Sequence, residues 1–279
     1  MRARAGLLLT VAVAATAALA PGAAADVDVL RGKFKPVGPG EQVSQKVRCP
    51  DGLRVSGGGV YTTGASLEDE VSDSAPFDGK DADAKPDDGW IGAVNGGAEP
   101  EAMRTWAICT DAIKLSYSSV PAQPVSFGGE ATAPCRAGHD PVGGGMRVKG
   151  KTTTSPLKAS IRNGFVIGWE SSAINVLDPP NAATGYAICS PSNRVERVGG
   201  SLNMAAGDQD DLEMPCPPGT HILSGGGAGT SSNQLEIASL LPSDGDDQNT
   251  KPDDAWTMWF NNESVSSTGS MNSHAVCLD

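Results

Sequence analysis

The stretch Cys49-Pro-Asp-Gly52, followed by Gly57-Gly58-Gly59, has two further copies in this chain. The copies are Cys135-Arg-Ala-Gly138 with Gly143-Gly144-Gly145, and Cys216-Pro-Pro-Gly219 with Gly225-Gly226-Gly227. Each copy runs on to a tryptophan, an asparagine and a second cysteine; the sets are Trp90, Asn95 and Cys109, then Trp169, Asn175 and Cys189, then Trp256, Asn261 and Cys277. Self-similarity of this kind indicates a repeat architecture. We therefore predict three repeats at residues 26–120, 121–198 and 199–279, packed as one compact assembly because no long linker separates them.

The first 25 residues have the pattern of an export signal. Arg2 and Arg4 precede an apolar run over residues 7–20, and Ala23-Ala24-Ala25 offers the small residues of a cleavage site. The apolar run is shorter than the roughly 20 residues that span a bilayer as a helix. We expect residues 1–25 to be a signal peptide, and the mature protein to be secreted and extracellular with no membrane span.

The charge balance limits the classes of partner. The chain carries 33 acidic and 21 basic residues, a net charge of −12 at pH 7. Such a surface argues against nucleic acid or anionic lipid as the main partner, because both are themselves negatively charged.

The cysteines indicate disulfides rather than a metal site. All six lie in the repeats, two in each, and an even number in an exported chain is typical of disulfide bonding. The repeat pattern favours Cys49–Cys109, Cys135–Cys189 and Cys216–Cys277. An alternative joins successive repeats through Cys109–Cys135, Cys189–Cys216 and Cys277–Cys49. The chain has no C-x-x-C or paired histidine spacing that would indicate zinc.

Short segments of alternating pattern predict β-strands. In residues 112–117, for example, Ile113, Leu115 and Tyr117 fall on one face. The 35 glycines and 20 prolines would penalise helix interiors. We therefore predict an all-β fold of antiparallel strands.

The glycine runs indicate that another part of the chain packs closely against these strands. Three consecutive glycines make a poor strand by themselves, but a strand without side chains lets another strand or a large ring approach closely. The recurring Trp90, Trp169 and Trp256 are the candidate rings, and we predict that they are buried against the glycines. We expect Asn95, Asn175 and Asn261 to bond the backbone of a turn or a neighbouring strand.

Two further tryptophans, Trp106 and Trp259, do not recur and are therefore our candidate ligand contacts. We name no catalytic residue. The three histidines occupy unequal positions in the repeats, no G-x-S-x-G turn is present, and disulfides leave no spare thiol. The expected protein is not an enzyme and needs no cofactor.

Repeats 1 and 3 share an acidic loop ahead of their tryptophans. Its aspartates include Asp78 and Asp88 in the first repeat and Asp244 and Asp254 in the third. Clustered carboxylates could hold Ca²⁺, but the spacing of the EF-hand loop is absent. Asp and Gly also suit tight turns, and we expect solvated turns with no metal.

The motifs Cys49-Pro-Asp-Gly52 and Cys216-Pro-Pro-Gly219, the glycine-rich strands and the closing cysteines resemble the vitelline membrane outer layer protein I family. The chain also resembles secreted proteins of high-GC bacteria. The first resemblance implies a β-prism, with three Greek-key sheets around a pseudo-threefold axis and one disulfide per repeat. That family has shorter repeats and lacks the triple glycine and the acidic loop. Many β-prisms bind carbohydrate, but a fold does not fix a function.

These features together predict a secreted, non-catalytic β-repeat protein that binds glycan or another cell-surface component. One alternative is a structural or protective envelope protein, which would bury all its aromatic residues under an acidic surface. Another is a secreted hydrolase, which would hold two carboxylates of unlike environment in a cleft.

Overall fold

The computed structural model describes residues 27–64, 66–79, 81, 83–125, 128–149, 157–163, 167–174, 182–229, 235–245 and 251–279. These ranges contain twenty β-strands and no helix, so the predicted all-β class is confirmed. No helix there is long and apolar enough to cross a membrane. The predicted signal peptide and Asn175 lie outside the described residues.

The strands, in chain order, are β1 (Val27–Arg31), β2 (Lys35–Val37), β3 (Gln42–Arg48), β4 (Arg54–Thr62), β5 (Glu70–Phe77), β6 (Gly89–Asn95), β7 (Glu101–Thr110), β8 (Ser116–Pro121), β9 (Gln123–Val125), β10 (Gly128–Pro134), β11 (Asp140–Lys149), β12 (Leu157–Asn163), β13 (Gly168–Ile174), β14 (Ala182–Ser190), β15 (Val195–Met204), β16 (Gln209–Pro215), β17 (His221–Gly229), β18 (Leu235–Ser243), β19 (Ala255–Asn262) and β20 (Gly269–Leu278).

The strands form three antiparallel sheets. The first has the order β1-β7-β4-β18-β19-β16, with β2 also paired to β7. The second is β3-β6-β5-β11-β14-β8, and the third is β15-β20-β17-β12-β13-β10-β9. In each sheet the glycine-rich strand of one repeat pairs with a strand of another: β4 with β18, β11 with β5, and β17 with β12. The repeats are therefore interlocked.

Three disulfides close the repeats individually. They join Cys49 to Cys109, Cys135 to Cys189 and Cys216 to Cys277, with Cα–Cα distances of 5.7, 5.8 and 5.8 Å. Pairing within each repeat is confirmed, and the alternative that links successive repeats is wrong. Three disulfides and no free cysteine indicate an oxidising compartment.

The recurring tryptophans pack on the glycine strands, as predicted. Trp90, Trp169 and Trp256 are at most 1% exposed. In each repeat a Cβ on one glycine would overlap the indole ring; the pairs are Gly58 with Trp90, Gly144 with Trp169, and Gly225 with Trp256. These glycines thus leave room for the indole ring, and a side chain at these positions would displace the ring.

In each repeat, the residue that precedes the tryptophan-contacting glycine lies against a backbone carbonyl of another repeat. The contacts are Gly57 with the Leu223 carbonyl, Gly143 with the Ser56 carbonyl, and the Ser224 hydroxyl donating to the Val142 carbonyl. The three repeats therefore contact one another in cyclic order. A pseudo-threefold axis would produce such an order, and the axis itself stays a prediction.

Candidate functional site

The outer face of the first sheet carries a row of aromatic and polar side chains. Arg104 of β7 pairs with Tyr61 of β4, and Trp259 of β19 pairs with both Ser239 of β18 and Asp211 of β16. The register between β4 and β18 sets Ser239 beside Tyr61. These five residues lie on five neighbouring strands, so the row crosses most of the sheet.

A cleft lies between the two aromatic rings. Its volume is about 220 Å³, and it is lined by Tyr61, Thr62, Thr63, Gly64, Gln209, Ala238, Ser239 and Trp259. Tyr61 and Trp259 are half-buried, so part of each ring remains accessible to a ligand. The described lining residues include no carboxylate or other charged group. Hydroxyl and amide groups supply the polar contacts of this cleft.

The pleat of β19 explains why Trp259 reaches the cleft. Trp256, Met258 and Phe260 alternate along the strand with Trp259, and all three are 0% exposed. Successive side chains of a strand point to opposite faces, so Trp259 projects away from this core. The sequence-based choice of Trp259 therefore falls on a residue that lines a cleft, and its contact with a ligand stays a prediction.

Trp106, the other candidate ligand contact, is placed differently. Its ring is only 6% exposed, so it is buried rather than exposed. The guanidinium groups of Arg31 and Arg104 each lie 5.9 Å from its ring centroid. Its role in binding remains a prediction, and Trp106 does not line the cleft.

Phe34, which the sequence did not single out, extends the aromatic surface beyond Tyr61 and contacts Arg104. The Phe34 ring meets Tyr61 edge-on with centroids 6.3 Å apart, and the Arg104 guanidinium lies 3.7 Å from the Phe34 ring centroid. Phe34 is 47% exposed. Phe34 lies before the repeat motif, so the repeat comparison gave no signal for it, and its neighbours depend on strand pairing.

Asn261 fixes one wall of the cleft. Its Nδ2 donates to the Leu67 and Asp69 carbonyls, both at 2.9 Å, and so holds the loop that follows β4. Its Oδ1 accepts a hydrogen bond from Gln209 Nε2 at 2.7 Å. The predicted backbone role of the recurring asparagine is confirmed at this position. In the first repeat, Asn95 Oδ1 likewise accepts from Gln42 Nε2 at 3.0 Å.

Two acidic groups lie next to residues that line the cleft: Asp211 pairs across the strands with Trp259, and Glu101 bonds to Thr62. The Thr62 hydroxyl hydrogen-bonds to Glu101, and burial raises the pKa of Glu101 to about 7. Burial also raises the pKa of Asp211, and Asp210 adds to that shift. The surroundings of the cleft therefore gain negative charge as the pH rises toward neutrality and above it.

A second group of carboxylates lies at the junction of repeats 1 and 3. One carboxylate oxygen from each of Glu70, Glu236 and Glu263 lies within 4.8 Å of the others. Burial, hydrogen bonding to Glu236 and repulsion from Glu236 together raise the pKa of Glu70 to about 10. None of the three lines the cleft between Tyr61 and Trp259.

A repeated trio marks this junction in the sequence. In the first repeat Asn95 pairs across the strands with Gln42 on one side and Glu70 on the other. In the third repeat Asn261 pairs with Gln209 and Glu236 in the same way. Recurrence of Gln, Asn and Glu at matching positions could have pointed to these residues.

Hydrogen bonds join the described ends of each acidic loop. The backbone N–H of Gly79 donates to Asp88, and that of Gly245 donates to Asp254. Asp87 forms a salt bridge with Arg54 at 3.5 Å. One oxygen each of Asp78, Asp81 and Asp88 lies within 4.8 Å of the others, on half-exposed or exposed side chains. These hydrogen bonds fit the expected turn chemistry, and the absence of a metal from these loops stays a prediction.

His139 illustrates why no catalytic triad is assigned. Its Nδ1 lies 3.1 Å from the Ser116 hydroxyl, the contact that a serine nucleophile would need. Its Nε2, however, faces Arg136 Nε at 2.7 Å, where a triad would place an acid. Burial and the charge of Arg136 both lower the pKa of His139. This pair is not arranged to activate a nucleophile.

Comparison of the chain with protein-family models and with curated proteins finds no match. The functional assignment therefore rests on the geometry of the cleft.

Proposed function

We propose that this chain is a secreted, non-catalytic binding module whose cleft between Tyr61 and Trp259 binds a glycan of a cell surface. The observation that carries the proposal is the pair of accessible rings on one sheet face with uncharged polar groups between them. Sugars offer apolar C–H faces that stack on aromatic rings, and hydroxyls that require donors and acceptors. Ligand sites commonly combine aromatic walls with a few polar groups in this way.

The dimensions of the row favour a chain of sugars over a single one. Tyr61 and Trp259 are two strands apart, a separation of about 10 Å at the usual spacing between strands. The full row from Arg104 to Asp211 crosses four such intervals, or about 19 Å. Phe34 lengthens the aromatic surface at the Arg104 end. A linear oligosaccharide lying across the strands would use this whole length.

The fold does not require these aromatic residues. In the second sheet Arg147 follows the glycine run where Tyr61 follows it in the first sheet. At the position of Trp259, the second sheet has Ala93, which pairs with Asp73 as Trp259 pairs with Ser239 in the first sheet. Repeat-invariant residues hold the fold, whereas residues present in one repeat alone are available for recognition.

The alternatives have weaker support. An envelope protein without a ligand would gain nothing from the half-exposed Tyr61 and Trp259 or from the exposed Phe34. A hydrolase would place two carboxylates in its cleft. The described lining residues contain none, and the half-buried Glu70 and the buried Glu236 lie elsewhere.

A glycan array with residues 26–279 tests the proposal, followed by titration of each hit with Trp259→Ala. A tryptophan at a binding hot spot contributes about 2 kcal/mol or more, so we expect Kd to rise about 30-fold. Leu241→Ala is the matched control, because Leu241 is half-buried on the same face, outside the cleft lining. Unchanged binding by a folded Trp259→Ala variant, or an array without hits, would overturn the proposal.

A further inference from the structure

Three glutamates from separate parts of the chain converge where repeats 1 and 3 meet. Glu70 begins β5 in the second sheet, Glu236 lies on β18 in the first sheet, and Glu263 follows the end of β19. One oxygen of each lies within 4.8 Å of the others. Two oxygens bound to one Ca²⁺ ion at 2.3–2.6 Å are at most about 5 Å apart. The spacing is therefore compatible with three ligands on one ion.

Glu236 is the buried member of this group, and its position calls for a partner. It is 3% exposed, and its Oε2 has no hydrogen-bond partner among the described residues. A buried carboxylate oxygen without a partner is strongly unfavourable, and proteins retain such groups by pairing them or by binding metal. The unpartnered oxygen thus points to a cation that completes its interactions.

Asn95 supplies a second, independent sign of a ligand. It is 2% exposed and lies directly across from Glu70 on the neighbouring strand, within reach of its carboxyl. Its Nδ2 interacts with the Glu70 carboxyl and lowers the pKa of that group, but it makes no hydrogen bond of normal geometry with any described residue. The buried amide beside Glu70 therefore also has an incomplete set of interactions.

The orientation of the Asn95 amide can serve a cation. Amide oxygen and nitrogen are assigned from the hydrogen-bond network, because the two atoms have nearly the same shape. Turning the amides of Asn95 and Gln42 together preserves the hydrogen bond between them and replaces Asn95 Nδ2 with Oδ1. Ser72, which now accepts from Gln42 Nε2 at 3.2 Å, would then donate its hydroxyl proton to Gln42 instead. An amide oxygen would join the three carboxylates.

We propose that Glu70, Glu236 and Glu263 bind one divalent cation, Ca²⁺ by preference, with Asn95 as a further oxygen ligand. Ligands that are all oxygen, on side chains from four segments, suit the flexible geometry of Ca²⁺, whereas zinc sites favour nitrogen and sulfur. The ion links the first and second sheets and so fixes repeat 1 against repeat 3. This site is separate from the acidic loops and from the aromatic cleft.

The competing account is a proton shared between Glu70 and Glu236 with no ion. Calorimetric titration of residues 26–279, stripped with chelator, separates the two. We expect one Ca²⁺ per chain and a melting temperature that rises with Ca²⁺ more than with Mg²⁺. A shared proton predicts neither result. Absence of calcium heat at millimolar concentration, with no rise in melting beyond that given by Mg²⁺, would overturn the proposal.

Two variants locate the site. Glu236→Gln should abolish the calcium heat and the shift in melting, yet be at least as stable as wild type in chelator, because it removes an uncompensated buried charge. Glu213→Gln, which removes an exposed charge from the same sheet, should retain both effects. Full calcium binding by Glu236→Gln, or binding that is lost in Asp88→Asn or Asp254→Asn instead, would place the ion elsewhere and refute the assignment.

Discussion

Asp73 of β5 accepts a hydrogen bond from the backbone N–H of Val148 in β11, with 2.6 Å between Oδ1 and N. The bond lies where the strands of repeats 1 and 2 meet in the second sheet. The equivalent junction in the first sheet uses the Ser239 hydroxyl, which accepts from the backbone N–H of Thr62 at 3.1 Å. The ionisable Asp73 therefore occupies a buried junction between repeats where the first sheet has the neutral Ser239.

Asp73 makes the free energy of unfolding depend on pH. Burial raises the pKa of Asp73 to about 6, although the bond from Val148 and the charge of Arg147 oppose the shift. A raised carboxyl pKa means that the folded state holds its proton more tightly than the unfolded state. The stabilisation is therefore complete below about pH 4 and is lost as the pH rises through about 6.

We expect Asp73→Asn to remove this dependence, since the amide oxygen can still accept from Val148 and does not ionise. Relative to wild type, the variant should gain about 3 kcal/mol in free energy of unfolding between pH 4 and pH 7. Urea unfolding of both proteins at the two pH values measures the difference. The same stability difference at both pH values would contradict the assigned pKa.

The close packing of the Trp169 ring on Gly144 predicts that one added methyl group will lower the free energy of unfolding. A Cβ at Gly144 would overlap the Trp169 ring and the Tyr186 carbonyl, so Gly144→Ala should destabilise the fold by about 1–3 kcal/mol. Gly199→Ala is the control, because its Cβ would meet no atom closer than 3.4 Å. Denaturant unfolding should show a change within about 0.5 kcal/mol for that control. Equal effects of the two changes would refute the packing argument.

The ring itself should contribute more than the glycine. Trp169 is 0% exposed, and Trp169→Ala should lower the free energy of unfolding by about 3–5 kcal/mol through lost burial and a cavity. Ile167, two residues earlier and 51% exposed, provides the control, and its replacement by alanine should change stability by less than about 0.5 kcal/mol. Thermal or urea unfolding measures both. A loss under 1 kcal/mol for Trp169→Ala would assign this ring to a surface role.

The disulfide within repeat 2 should stabilise the fold by limiting the unfolded chain. Cys135 and Cys189 are 54 residues apart, and closure of such a loop is worth about 4 kcal/mol in the chain-entropy model. We expect the double change to serine to lower the free energy of unfolding by about that amount. Peptide mapping without reduction checks the pairing, and a peptide that joins Cys109 to Cys135 would contradict it.

Local chemistry explains what the sequence predicted well. The repeat pattern favoured a disulfide within each repeat, and three glycines in a strand indicated a close neighbour, for which the recurring Trp90 was the candidate ring. Both relationships lie within one repeat, where self-similarity supplies the register. They were therefore accessible without knowledge of how the repeats pack.

Pairing between repeats was not accessible in the same way. Tyr61 and Trp259 line the same cleft only because β4 of repeat 1 pairs with β18 of repeat 3, and alternation along a strand does not identify its partner strand. Glu70 and Glu236 likewise meet across two sheets. Trp259 could be chosen because it breaks the repeat pattern, whereas Phe34 lies before the motif and offered no repeat to compare.

The acidic loops provide the last prediction, because turn chemistry and metal binding demand different things of the same residue. Asp88 and Asp254 each accept a hydrogen bond from the glycine nine residues earlier, and an asparagine can replace the acceptor without the charge. Asp254→Asn should therefore leave stability within about 0.5 kcal/mol of wild type, whereas Asp254→Ala, which loses the bond, should cost about 1 kcal/mol. Urea unfolding in chelator compares the two variants with wild type. If asparagine were as damaging as alanine, and calcium restored only the wild type, the carboxylate charge would be required and the loop would be a metal site.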